Sequence, residues 1–370
     1  METGEKALLC ALSRVTIGHP CAARKLLETA GSAEALKEGG PDLVREVLGV
    51  PDVGDVLFSE DMTDWGNREA EWYESKGVEV LSILSPSYPQ KLLDTPFAPA
   101  VLYFRGTAEL GDTARKSLSI VGTRMASSYG KECCSAIVSD MARICPDVRI
   151  VSGLAIGIDG AAHTAALDCG LETLAVLPCG IDMIYPSSHR GLAVRILSQG
   201  GILTEYPRGV KPLRFNFLQR NRIIAGISDA LLVAESRISG GSMSTVEYAS
   251  SYNKDIFAVP GRMTDANSYG CNYLINKNVA QICLNASTIV SSMGWSEARL
   301  SDIKAQPDLF SSSDSLKEKL LLSLSSVRGK TMDQLSMESG ADVSGLSLAL
   351  LQLDIEGKAR KDSSDRWFKV

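Results

Sequence analysis

Histidine is scarce in this 370-residue chain: His19, His163 and His189 are the only three. None stands at zinc-ligand spacing from another, so no histidine-built metal centre is expected. The nine cysteines (10, 21, 133, 134, 145, 169, 179, 271 and 283) contain no Cys-x-x-Cys pair. They read as small, mostly buried residues of a reduced cytoplasmic protein. No apolar run approaches the ~18 residues that cross a bilayer, and Met1–Cys10 lacks the long apolar region of a secretory signal. Membrane association is therefore not expected. Nucleotide fingerprints are missing too. There is no Walker A lysine loop, and Gly122-Thr123-Arg124-Met125-Ala126-Ser127 puts Arg124 and Ser127 where G-x-G-x-x-G needs glycine. Neither ATP nor NAD is supported, and no cofactor is expected.

One further absence is local. Between Tyr206 and Ser228 there is no acidic residue, while five basic ones occur: Arg208, Lys211, Arg214, Arg220 and Arg222. The whole chain has 38 Lys+Arg against 44 Asp+Glu, a net charge of -6 and a pI near 5.3. Such a protein is not suited to coating duplex DNA indiscriminately, so any nucleic-acid binding must be confined to a basic site. Inside the stretch, Phe217-Leu218-Gln219-Arg220-Asn221-Arg222 leads into the apolar run Ile223-Ile224-Ala225-Gly226. Cations that follow a phosphate backbone beside a ring on which a base can stack are what a single-strand groove needs. A solvated cationic loop is the alternative.

The length implies two or three domains. Residues 1–75 are rich in Ala, Leu and Glu with breaks at Gly18, Pro20, Gly31, Gly40, Pro41 and Pro51, which predicts a small helical domain. Its Gly18-His19-Pro20 resembles a helix-hairpin-helix turn, although Pro20 removes one backbone donor, which favours a structural role. Residues 76–298 predict a Rossmann-like α/β domain. Two short strands (78–83 and 100–104) precede a β-loop-α alternation with apolar strands at 118–121, 148–151, 173–177, 202–205, 230–234 and 256–259. That alternation gives a mostly parallel sheet with helices on both faces. Residues 299–314 read as a polar linker. Residues 315–370 predict a winged helix, three helices and a hairpin, whose recognition helix carries Asp354 and Glu356 and no Lys or Arg. The basic residues lie in the wing, which favours a protein contact or regulatory role over duplex reading.

In an open parallel sheet ligands bind at the carboxyl ends of the strands, so the loops there matter most. Gly122-Thr123-Arg124 offers a tight turn, a hydroxyl and a charge beside a helix start. Gly240-Gly241-Ser242 opens another helix and exposes unpaired backbone N–H groups. Ser152–Asp159 forms a third glycine-bearing loop. Asp159 and His163, at i,i+4, share a helix face, but no nucleophile is tied to them and a structural role is expected. Asp182 and Glu205, near strand ends, are expected to hold Arg220 or Arg222 in place.

At this point the sequence resembles the DNA-processing protein A family (DprA, also called Smf). The motifs that carry the likeness are Ile120–Arg124 with Ser128-Tyr129-Gly130, Ser152–Asp159 with Ala162-His163, Tyr185-Pro186, Phe217 with Arg220–Gly226, Ser239–Ser242, Ala258–Gly261 and Gly270–Ile275. They span roughly residues 78–290 in order. The resemblance implies a non-enzymatic cytoplasmic homodimer that binds single-stranded DNA and delivers the recombinase RecA onto it, in DNA uptake or recombination. It further implies that Arg124, Arg214 and Phe217 line the DNA pocket. With the residues read above, the full candidate set is Gly122, Thr123, Arg124, Lys211, Arg214, Phe217, Arg220, Asn221, Arg222, Gly240, Gly241 and Ser242. Leu218 departs from the family pattern, where proline is frequent.

The rival reading is a nucleoside-monophosphate phosphoribohydrolase of the lysine-decarboxylase-like group. Its Gly-Gly-x-Gly-Thr-x-x-Glu signature is only partly met by Gly240–Glu247, where Met243 and Ser244 replace the third glycine and the threonine. A transcription factor built on the last 56 residues has little electrostatic support.

Overall fold

Short aliphatic runs separated by amphipathic stretches become a nine-stranded sheet in the computed structural model, which describes residues 3–295, 317, 319–325, 329–339, 341, 343–362 and 365–370. The strands are β1 (Glu79–Ser82), β2 (Val101–Gly106), β3 (Ser117–Gly122), β4 (Arg149–Ser152), β5 (Thr173–Val176), β6 (Gly200–Thr204), β7 (Ala230–Glu235), β8 (Asp255–Ala258) and β9 (Gln281–Ile282). Their order is β1-β2-β6-β5-β4-β3-β7-β8-β9. From β6 to β9 every neighbouring pair is parallel, and β2 and β1 extend the β6 edge antiparallel. This is the expected Rossmann-like, mostly parallel sheet, and the first two strands do extend it. The two-residue β9 is too short to show any period in the sequence.

Helices α1 (Thr3–Val15), α2 (Pro20–Ala30), α3 (Ala33–Leu48), α4 (Pro51–Leu57) and α5 (Glu60–Ser75) precede the sheet. α3 breaks at Gly40, whose φ of +56° ends one helical run before Pro41 begins the next. Then follow α6 (Gln90–Leu93), α7 (Ser128–Ile144), α8 (Ile158–Asp168), α9 (Arg190–Ser198), α10 (Arg214–Gly226), α11 (Ser242–Ser251), α12 (Tyr269–Asn276) and α13 (Ala286–Ser292).

Successive strand residues point to opposite faces, so each strand feeds two cores. Val121, Val151 and Val233 pack with Ile223 and Ile224 of α10 and Val246 of α11. Ile120, Ile150 and Leu232 pack with Ile137 and Val138 of α7, Ala162 of α8 and Ile289 of α13. Leu9 and Leu12 of α1, Leu26 of α2 and Tyr73 of α5 belong to the first of these cores, and Tyr73 stacks on Tyr103 of β2 with ring centroids 4.7 Å apart.

The chain divides into two compact units, Met1–Ser296 and Glu297–Val370. The expected linker at 299–314 lies outside the described residues. In the second unit, helices Met332–Ser339 and Val343–Ile355 and the antiparallel strands Ala359–Lys361 and Trp367–Lys369 surround Leu320, Leu335, Leu346, Leu350 and Trp367.

Candidate nucleic-acid interface

β3 sits where the chain reverses its direction across the sheet: β4, β5 and β6 follow on one side and β7 on the other. The loops after β3 and β7 therefore flank the crevice where open α/β sheets bind ligands. Gly122 ends β3 so closely against Ile158 and the Glu235 carbonyl that any side chain would collide with both.

In the turn that follows, both the backbone N–H and the hydroxyl of Thr123 are engaged internally. The Thr123 N–H donates to the Glu235 carbonyl at 2.7 Å, and the Thr123 hydroxyl accepts from Met125 N–H at 3.2 Å. The buried Glu235 carboxylate accepts from the Ser127 N–H (2.8 Å) and hydroxyl (2.6 Å), while the same hydroxyl accepts from Gly130 N–H at 3.1 Å. The start of α7 is thus satisfied internally by a carboxylate. What the turn offers outward is the exposed guanidinium of Arg124.

That guanidinium lies 4.6 Å from the centroid of the Phe217 ring, across 93 residues of sequence (217 − 124). Tyr185 meets the same ring edge-on, with centroids 5.5 Å apart at 73°. Beneath the turn is Gly157, with φ +88°, where a Cβ would overlap the carbonyl oxygens of Thr123 and Arg124. Phe217 itself stands on α10, whose first residue is Arg214. Three residues apart, Arg214 and Phe217 fall on one helix face. Leu218 makes this possible, because proline there would have no N–H for the Arg214 carbonyl and would push the helix start downstream. Arg214 and Lys211 are both exposed and form no ion pair among the described residues. The Lys211 carbonyl is pinned by Asn216 Nδ2 at 3.1 Å.

Arg220 and Arg222 correct the sequence reading. They are 3% and 2% exposed, because the helix turns them under Phe217 and into the domain. Arg220 donates to the carbonyls of Gly153 and Val176 and to Asn221 Oδ1. Burial lowers its pKa to about 10, against the opposing attraction of Asp159. Burial likewise raises the Asp159 carboxyl, with Arg220 counteracting. Arg222 pairs with Glu205 and donates to the Phe97 carbonyl. Neither guanidinium reaches solvent, so neither is a phosphate ligand. Glu205 holds Arg222 as expected, but Asp182 instead accepts from Gly209 N–H at 3.0 Å. The fifth basic residue, Arg208, is also engaged: it pairs with buried Glu69 of α5 at 2.9 Å and lies 4.9 Å from the Trp72 ring centroid.

Asn221 is a brace as well. Its Nδ2 donates to the Gly241 carbonyl (3.2 Å) and Ser244 hydroxyl (2.9 Å), tying α10 to the turn that opens α11. In that turn the Gly240 N–H goes to the Arg237 carbonyl, and Ser242 is buried in a 2.7 Å hydroxyl contact with Ser236. Gly241 alone borders open space. Asn267 links this turn to the first one, accepting from Arg237 Nε at 2.8 Å and donating to the Met125 carbonyl at 3.1 Å. Asp159 and His163 are structural: His163 is fully buried on the Thr173 hydroxyl at 2.8 Å, and burial lowers its pKa to about 3. Tyr185 was not among the expected site residues. Its sequence signal was the Tyr185-Pro186 motif of the family likeness, which assigned the ring no role.

The outward-facing set is therefore Arg124, Tyr185, Lys211, Arg214 and Phe217, held by a buried polar frame. The family model of the DNA recombination-mediator protein A matches residues 79–294, more than half the chain. The chain belongs to this family. It is 38% identical over 226 residues to Protein Smf of Synechocystis, covering 60% of this chain and 56% of the relative. It is 38% identical over 196 residues to DNA processing protein DprA of Streptococcus pneumoniae, covering 53% and 68%. The chain thus spans about half the length of the first curated relatives it matches, at 56% and 50%. Among solved structures, the Streptococcus pneumoniae DprA crystal structure aligns at a TM-score of 0.60 and 30% identity, over 76% of this chain and 95% of that one. A Helicobacter pylori DprA structure, described for its unique single-stranded DNA binding mode, aligns at 0.52 and 30% identity, over 58% and 95%. All the expected site residues fall inside the matched region.

Proposed function

We propose that this protein binds single-stranded DNA at the Arg124–Phe217 site. The observation that carries the reading is an exposed guanidinium over the ring of half-buried Phe217, with exposed Arg214 one helical turn away and neither arginine in an ion pair among the described residues. A base stacks on the ring while the cations neutralise adjacent phosphates, a recognition mode that tolerates any sequence. Arg124 covers the face a base would use, so binding moves the guanidinium from ring to phosphate. Both ligands suit it: cation–π in the free protein and a charge-assisted hydrogen bond in the complex. The single-stranded DNA binding of the Helicobacter pylori relative supports this choice of ligand.

With three free cations at about 0.7 each, log affinity falls with log salt at a slope near 2. Replacement of Arg124 by alanine lowers affinity for oligo-dT by about 1–3 kcal/mol in fluorescence anisotropy at fixed salt. Wild-type binding by Arg124→Ala and Arg214→Ala alike removes the assignment.

The finer role we propose is the one the family resemblance implies: a homodimer that hands the bound strand to RecA during DNA uptake or recombination, without catalysis of its own. Filament formation by RecA on coated single strands, with and without this protein, tests that role. Incubation with AMP tests the enzymatic rival, since release of adenine would establish it. Met243 packs on the core and Glu247 is exposed on α11, an arrangement that does not favour it.

A further inference from the structure

A groove of about 480 Å³ runs from the loop after β5 down past α9 to the β2 edge. Its apolar lining includes Ile181, Met183, Ile184, Val194 and Leu197, with Trp72 at one side. Three exposed cations stand on it, Lys76, Arg105 and Arg190, and none forms an ion pair or side-chain hydrogen bond among the described residues. Its one acidic residue, Asp182, is engaged by Gly209 N–H. The groove belongs to the same unit as the Arg124–Phe217 site and is joined to it by adjacent residues. Ile184 lines the groove, and Tyr185, the next residue, lies against Phe217. At the far side Trp72 is backed by Arg208, which gives a second aromatic face with a cation beside it.

We infer that this groove continues the single-strand path, so that DNA leaving Phe217 passes over Tyr185 and runs along Arg190, Arg105 and Lys76. The inference rests on the binding role proposed above. Charge complementarity selects the occupant: three unneutralised cations around an apolar floor suit a polyanion whose bases can lie on apolar surface. Continuity with the Phe217 site favours the same strand over a separate acidic peptide. The path also assigns Tyr185 a position as the bridge between two binding segments.

The test is a length series. Oligo-dT of about six nucleotides fills the Phe217 segment, and oligo-dT of about twenty reaches the groove. In the full-length protein the triple substitution Lys76→Ala, Arg105→Ala, Arg190→Ala weakens binding of the long oligonucleotide by about tenfold or more and lowers its salt slope by about 2, three contacts at 0.7 each. The short oligonucleotide is affected far less. Arg124→Ala weakens both lengths. Equal affinity and equal salt slope of the triple variant for the long oligonucleotide, with Arg124→Ala weakened at both lengths, overturn the groove assignment alone. If Arg124→Ala binds both lengths normally, the Phe217 site itself is wrong. A single strand that fails to displace a labelled Asp- and Leu-rich peptide from the groove also overturns the inference, in favour of a peptide site. All three replaced side chains are exposed, and an unchanged thermal unfolding profile confirms that the variant is folded.

Discussion

The two halves of α10 share one basic stretch of sequence and have opposite roles. Its first turns carry exposed Arg214 and half-buried Phe217, whereas further along Arg220 and Arg222 are sealed inside. The four residues look alike as letters: three arginines and a ring in nine positions. The difference is what surrounds each side chain. Around Arg220 stand the Gly153 and Val176 carbonyls and the Asp159 carboxylate, and around Arg222 stand Glu205 and the Phe97 carbonyl. Arg214 is exposed and has no ion-pair partner among the described residues. A buried guanidinium that satisfies carbonyls from two strand ends fixes the positions of those ends, and the site inherits its geometry from them. One half of the helix builds the frame and the other half uses it.

The largest effect that would break this comparison is on stability. Arg222→Ala leaves Glu205 buried without its partner and is expected to cost about 3–5 kcal/mol of unfolding free energy. Urea denaturation measures it, and a loss under 1 kcal/mol would mean that the inner half is dispensable. Gly157→Ala comes next. Its φ of +88° and the carbonyls above it leave no room for a methyl group, so about 1–3 kcal/mol of strain should appear. The substitution should also weaken DNA binding by shifting the Arg124 turn, although residue 157 itself stays out of reach of the strand. Phe217→Ala sharpens the outer half, with an expected loss of about 1–3 kcal/mol in oligo-dT affinity for one stacked base and an unchanged denaturation midpoint. The smallest effect concerns the frame's buried histidine. His163 is held neutral with its pKa lowered to about 3, so the unfolded chain binds its proton first as the medium is acidified. Its contribution is complete above about pH 6.5 and falls progressively towards pH 3, because over that window the unfolded state carries more protons. Denaturation of wild type and His163→Gln at pH 7 and pH 5 should show a smaller acid loss in the variant.

Much of the fold was legible beforehand because its signals are local. Aliphatic runs at Leu118–Val121, Thr173–Leu177 and Ala230–Ala234 alternate with amphipathic stretches, and a parallel sheet is the economical way to bury them. The break at Gly40-Pro41 and the glycine after β3 were equally readable. Elements without a period, such as α12 and β9, were not. Of the site, Arg124, Arg214 and Phe217 could be named because a guanidinium in a turn and a ring before a helix are visible in one dimension, and the family motifs aligned them. Tyr185-Pro186 was visible as a family motif, but Tyr185 could not be given a place in the site, since nothing local says that a loop aromatic will meet a ring 32 residues later (217 − 185).

What the amino-acid order determined by itself was the alternation, the supply of cations within one acid-free stretch, and the glycines that permit tight turns. Which cations remained available was settled only by tertiary packing. Of five in that stretch, Glu69 engaged Arg208, Glu205 engaged Arg222, two carbonyls engaged Arg220, and Lys211 and Arg214 stayed in water. The physical reason is that charge is a property of a residue, whereas its availability depends on partners brought from distant parts of the chain.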